Sequence, residues 1–168
     1  MQDYPDVEKA GRFLASELFG AGSKEVRRSD ELQNTHETGF VYADQEFLEM
    51  LQVPMIYGSP EHALGQPNTI VISKSKADHY FPEENPVGKI LILDNDNSKP
   101  YKIGGIMEDF PKTSHLEYDF IMTLTGIEFY PGEQTNWGGS NYHTYVLLRP
   151  DAEADRLEAK LHGIIDEY

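Results

Sequence analysis

Along much of this chain apolar and polar positions alternate with a period of two, and changes of period mark its elements. Tyr101, Ile103, Gly105 and Met107 alternate with Lys102, Gly104 and Ile106, a strand pattern whose paired glycines permit a bulge or a close backbone approach. The β-branched run at residues 69–73 predicts a buried strand, and residues 25–29, 38–43, 89–93, 117–124 and 143–148 read as further strands. Residues 30–37 and 130–142 read as loops, and residues 94–100 as the loop of a hairpin. Elsewhere the spacing becomes helical. Val7, Ala10, Leu14 and Leu18 fall near one face, with Gly20 as a stop, and predict an amphipathic helix over residues 5–19. Asp44 is placed to cap a short helix over 45–51 and Ser73 a second one carrying Ala77, Tyr80 and Phe81. Asp151 caps a last helix with Leu157, Leu161, Ile164 and Ile165 on one face, and Ser59-Pro60 with Gly65 encodes a turn or two. Helices alternating with strands around a hairpin-rich middle give an α+β chain with an inserted β-rich subdomain.

The stretch from 104 to 120 joins two strand-like runs through a corner. Pro111 removes a backbone donor and biases Phe110 away from helical angles, while Asp109, Thr113 and Ser114 can bond nearby backbone. His115 is expected to make a side-chain to backbone bond there, so its loss should cost about 1 to 2 kcal/mol.

Charge and composition narrow the function classes. Among 168 residues, 29 acidic against 14 basic give a net charge of −15, which argues against binding nucleic acid or an anionic membrane through simple electrostatics. Lys24, Arg27 and Arg28 are the only basic cluster and read as a solvated loop or strand end. The absence of cysteine excludes disulfides, thiolate metal sites and cysteine nucleophiles. No run approaches the roughly 18 apolar residues that span a bilayer, and no leader opens the sequence, so an export signal is expected outside these residues.

Candidate chemistry is sparse. Asp94, Asp96 and Ser98 match the first positions of a calcium loop, but Lys99 stands where its glycine belongs and Gly105 where its glutamate belongs. Asp109, His115 and Asp119 are the residues for a metal or acid-base cluster, and they lack a completing partner in sequence. Trp137, beside Asn136, Gly138 and Gly139, marks a loop suited to a partner or substrate, or to capping the core edge.

Several of these residues, in order, resemble one family. Tyr4-Pro5-Asp6-Val7-Glu8, Tyr42-Ala43-Asp44 through Gly58, Pro67 to Ser73, Ala77 to Phe81 and Asn85-Pro86-Val87-Gly88-Lys89 look like the pattern of the MacB-like periplasmic core domain. Asp109-Phe110-Pro111-Lys112-Thr113-Ser114-His115 resembles its Asp-x-Pro-x-x-Ser-His corner, and Trp137 and Thr144-Tyr145-Val146 also fit. The versions in FtsX-like permeases of Bacteroidetes-type bacteria are the most similar; Pro82 departs from the glycine more usual after the phenylalanine.

The resemblance implies a non-catalytic, extracytoplasmic domain of an ABC transporter permease, the periplasmic part of a bacterial inner-membrane protein and a piece of a longer chain. It implies a porter-like α/β subdomain from residues 1–65 and 114–168 and a small sabre-like β-rich insertion from residues 66–113. It implies coupling of cytoplasmic ATP hydrolysis to periplasmic movement, for export or mechanotransmission. Expected partners are an ATPase subunit, reached through the full-length permease, a second permease copy and a periplasmic protein. Nucleic acid, cofactors, metals and catalytic residues are not expected, and the isolated domain is expected to be monomeric. Asp109, Pro111, Ser114 and His115 are then a structural corner. The alternatives are a secreted metal-dependent hydrolase and a free-standing periplasmic ligand-binding protein.

Overall fold

A computed structural model describes residues 4–135 and 139–161. Within these residues nine strands form one sheet: β1 (Val7–Leu14), β2 (Gly22–Arg28), β3 (Thr35–Ala43), β4 (Met55–Tyr57), β5 (Thr69–Ser73), β6 (Ile90–Leu93), β7 (Tyr101–Met107), β8 (Phe120–Thr123) and β9 (His143–Leu148). Three helices, α1 (Gln45–Met50), α2 (Lys74–Tyr80) and α3 (Ala154–Leu161), intervene. Strands β2, β6, β7, β5, β8 and β3 pair in that order, and β3 pairs back to β2, so the ring closes into a barrel. The fold is therefore mixed α+β, a closed barrel whose core takes in Ala77 and Tyr80 of α2, while α1 packs in a separate core. β1 and β9 leave the ring as an antiparallel ribbon attached to the end of β3 through Phe13↔Ala43 and Leu14↔Tyr42.

Central strands read as unbroken apolar runs because both of their faces are buried. Phe40, Tyr42, Ile70, Ile72, Phe120 and Met122 share one core with Leu91, Tyr101 and Ile103. The intervening Val41, Ala43, Val71 and Ile121 point the other way and pack with Phe47, Leu48 and Leu64 in a second core that includes α1. Phe40 and Phe120 are register partners in the parallel β3–β8 pair, and their rings stack with centroids 4.2 Å apart. In β7 the register shifts at Gly104, so that Tyr101 and Ile103, then Ile106, serve the same core. The glycine pair is also a close approach, since a Cβ at Gly104 would stand 1.9 Å from the Ala63 carbonyl oxygen.

The helix expected over residues 5–19 is instead β1 followed by a short 3-10 turn at Glu17–Phe19. Leu18, needed for the helical face, is 79 % exposed, while Gly11 and Phe13 are buried with strand spacing beyond a bulge near Val7. Pairing with β9 from Val7↔Leu148 to Phe13↔His143 overrides the local pattern. Gly11 explains the preference, because it would cost a helix interior about 1 kcal/mol whereas in the strand it lets the backbone of α1 approach. A Cβ there would lie 2.8 Å from the Phe47 nitrogen.

Smaller differences follow the same logic. β3 takes Thr35, His36 and Glu37 from the passage expected as loop, since they complete the ladder that closes the barrel on β2. Residues 59–65 make a turn, with the Ala63 N–H on the Ser59 carbonyl at 3.1 Å. Segment 66–113 supplies β5, α2, β6 and β7; β5 bonds to β8 and β6 to β2, both outside that segment.

Candidate functional site

The corner is built by a compact set of bonds. The Ser114 N–H reaches the Pro111 carbonyl at 2.8 Å, and the Ser114 hydroxyl oxygen accepts the Leu116 N–H at 3.0 Å, leading into buried Leu116. Asp109 Oδ1 accepts the backbone N–H of Ser75 at 3.0 Å and so serves the first turn of α2 from another element. His115 does not make the expected local bond; its Nε2 lies 3.2 Å from the Tyr145 hydroxyl on β9. Asp119 Oδ1 accepts the Ser73 hydroxyl at 2.7 Å. Asp109, His115 and Asp119 thus end on three different partners, and the described residues contain no group of three or more His, Asp or Glu that could hold a metal.

Both expected helix caps sit in the extended conformation of an N-cap, but neither side chain makes the capping bond to a backbone N–H of its own helix. Ser73 bonds Asp119 and approaches the Ser75 hydroxyl. Asp44 holds Arg12 of β1: Oδ2 accepts the Arg12 backbone N–H at 3.0 Å and Nε at 2.9 Å, and Oδ1 accepts a terminal guanidinium nitrogen at 3.1 Å. That bidentate bond keeps the Arg12 guanidinium above its usual range. Further along α2, the Tyr80 hydroxyl donates to buried Glu37 at 3.0 Å and Lys76 pairs with the same carboxylate. Burial, then the Glu37 charge, pushes Tyr80 ionisation up.

The basic cluster is not solvated as expected. Arg27 is buried and bonds the Asn95 and Asn97 side-chain oxygens at 3.2 and 2.7 Å, and Lys24 pairs with Asp94 at 2.9 Å. These bonds clamp the 94–100 hairpin loop onto β2. Asp94 also accepts the Glu25 N–H of β2, and Asp96 accepts the Ser98 N–H and hydroxyl, so one calcium-like carboxylate ties the loop to β2 and the other serves the loop itself. Asp94 and Asn95 both adopt positive φ, a conformation that Asp and Asn tolerate better than most residues.

A cleft of about 390 Å³ opens between β1 and the loop before β9, lined by Arg12, Glu133, Gln134, Asn141, Tyr142 and Thr144. The Arg12 guanidinium lies 4.8 Å over the Tyr142 ring and bonds the Gln134 side-chain oxygen at 3.0 Å. Glu133 is buried; burial and this neighbouring carboxylate push Tyr142 ionisation up to about 12. Trp137, Ile164 and Ile165 lie outside the described residues.

With this geometry in hand, comparison with known proteins is decisive: the model of the MacB-like periplasmic core domain matches residues 1–164. The chain belongs to the MacB-like periplasmic core domain family. It is a MacB-like periplasmic domain, similar to a permease domain of known structure. A domain of a protein assigned as a permease in Porphyromonas gingivalis superposes with a TM-score of 0.78 at 27 % identity, covering 97 % of this chain and 71 % of that one. The periplasmic region of MacB from Actinobacillus actinomycetemcomitans (TM-score 0.62, 13 % identity, 97 % and 68 % covered) shares the fold. So does the extracellular domain of the noncanonic ABC-type transporter YknZ from Gram-positive bacteria (0.54, 15 %, 94 % and 72 %). No curated protein sequence matches the chain. Among the described residues no helix is long and apolar enough to cross a membrane.

Within this MacB-like domain, the sequence pointed to the corner and to the loop of Trp137 but missed the cleft beside that loop. Arg12 lay in a segment read as helix, and Glu133 carried no signal beyond being an acidic residue in a glycine-rich loop.

Proposed function

We propose that this domain carries ATP-driven movement of the intact permease into the periplasm, for export or for mechanical transmission to a periplasmic partner. Membership of the MacB-like family over residues 1–164 carries the reading. That membership implies association of the whole permease with an ATPase subunit. A second permease copy and a periplasmic protein complete the proposed assembly, with the 130–142 loop as a contact region and Asp109, Pro111, Ser114 and His115 as a corner of fixed geometry. Residues 66–113 are read as the inserted part and residues 1–65 and 114–168 as the porter-like part. Exposed turns near both seams support that division, while the shared ladders of β5 with β8 and β6 with β2 argue that the two parts move as one body.

Because the chain lacks cysteine, a single label can be placed without background in this domain. A spin label at Leu32→Cys, a position 94 % exposed, in the full-length permease should report an inter-copy distance that changes between ATP-bound and nucleotide-free states. A distance unchanged through the ATP cycle would refute the coupling.

A further inference from the structure

The strand directions bring the ends of β3 and β8 and the starts of β2, β5 and β7 to one end of the barrel. Aromatic rings gather there. Phe19, in the 3-10 turn after β1, lies 5.0 Å from the Phe129 ring and 6.5 Å from that of Tyr130, and Phe129 meets Tyr42 edge-on at 5.3 Å. Phe19, Ile127 and Phe129 are only partly buried against the barrel core, and with buried Tyr42 and Tyr101 they line a pocket of about 380 Å³. Leu18, beside Phe19 in the turn, is 79 % exposed. Adjoining apolar side chains left in water at the mouth of a pocket mark a contact surface. The charges around them give its sign. Four carboxylates, Glu17, Asp94, Asp96 and Glu128, stand exposed at this end against the ammonium groups of Lys24, which pairs with Asp94, and Lys99, which lines the pocket. Burial pushes Tyr101 ionisation up, and the charges of Asp94 and Asp96 add to the rise. A second copy of a chain with a net charge of −15 is repelled from such a surface, and a basic partner is drawn to it.

We propose that this end of the barrel docks a basic segment of a periplasmic protein, whose leucine or phenylalanine side chain seats against Phe19 and Phe129 while flanking arginines or lysines face Glu17 and Glu128. A volume of about 380 Å³ is at the small end for ligand sites and suits one or two anchoring side chains. An apolar anchor in an aromatic pocket supplies affinity, and the acidic rim selects the partner. The proposal deepens the reading of residues 130–142 as a contact region, since Tyr130 adjoins Phe19. It is measured on the 168-residue chain alone, so a permease that fails to transmit ATP-driven movement would leave it standing.

Three peptides separate the anchor from the charge: acetyl-Arg-Leu-Phe-Arg-amide, acetyl-Glu-Leu-Phe-Glu-amide and acetyl-Arg-Ala-Ala-Arg-amide. Binding is followed through the backbone amide resonances of Phe19 and Gly126. The first peptide should shift them saturably, and the other two should bind at least about tenfold more weakly. Leu18→Ser, which alters a side chain already in water, should fold normally by thermal melting and weaken the first peptide by about fivefold. Should that variant not fold, the contrast among the peptides on the unmodified chain decides alone. No binding of the first peptide, equal binding of either of the others, or undiminished binding to folded Leu18→Ser overturns the proposal. Shifts of the same resonances on raising the protein concentration without peptide would assign the pocket to a second copy and overturn it as well.

Discussion

Asp109, at the corner after β7, accepts the backbone N–H of Ser75 in the first turn of α2, at 3.0 Å and 34 positions away in the chain. The helix is therefore capped from the corner, and the Ser73 side chain at its own N-cap is free to bind Asp119. Asp109→Ala should lower stability by about 1 kcal/mol, as for loss of a helix cap. Chemical denaturation checks the cost, and faster hydrogen exchange at Ser75 locates it. Ser73→Ala should leave the Ser75 amide protected.

Gly104 has no room for a side chain. Its Cβ would meet the backbone oxygen of Ala63 at 1.9 Å, an atom that moves only if the turn before β5 moves. Gly104→Ala should cost about 3 kcal/mol or prevent folding. Gly65→Ala, where the nearest atom is at 3.5 Å, should fold normally. Thermal melts of the pair measure the contrast.

His115 is exposed and bonds another side chain at 3.2 Å, so the cost expected from the sequence is too high. His115→Ala should change stability by no more than about 0.5 kcal/mol. Denaturant midpoints that differ by more would show that the bond to Tyr145 holds the ribbon to the corner.

Tyr42, Tyr80, Tyr101 and Tyr142 all ionise at higher pH in the folded protein than in the unfolded chain, chiefly because burial disfavours the phenolate. Between the unfolded value near 10 and the raised folded values, the folded state binds more protons, so stability falls as pH rises. The melting temperature should hold up to about pH 10 and decline above it. Titration of phenolate absorbance should show these tyrosines ionising together with unfolding.

Because β5 and β6 bond to strands outside segment 66–113, unfolding should be a single cooperative transition. Far-ultraviolet and near-ultraviolet circular dichroism should give coincident urea curves. Two separated transitions would mean that the inserted segment folds on its own.

What the sequence determined by itself is local. Runs such as residues 69–73 and 101–107 have one workable period, and the places of Asp44 and Ser73 follow from backbone angles at helix starts; all are recovered at or near their expected positions. The Gly104-Gly105 pair announced its bulge for the same reason, since only the absence of Cβ allows it. Tertiary structure decided where each side chain spends its bonds. Asp44 could cap α1 or hold Arg12, and the bidentate guanidinium won because β1 lies beside it. Val7 to Leu14 could have formed a helix, but pairing with β9, more than a hundred residues away in sequence, satisfies the same backbone groups and also buries Phe13. The Glu133 cleft appears only once Arg12 and Tyr142 meet, because spacing along a chain says nothing about which distant atoms will share the space that excludes water.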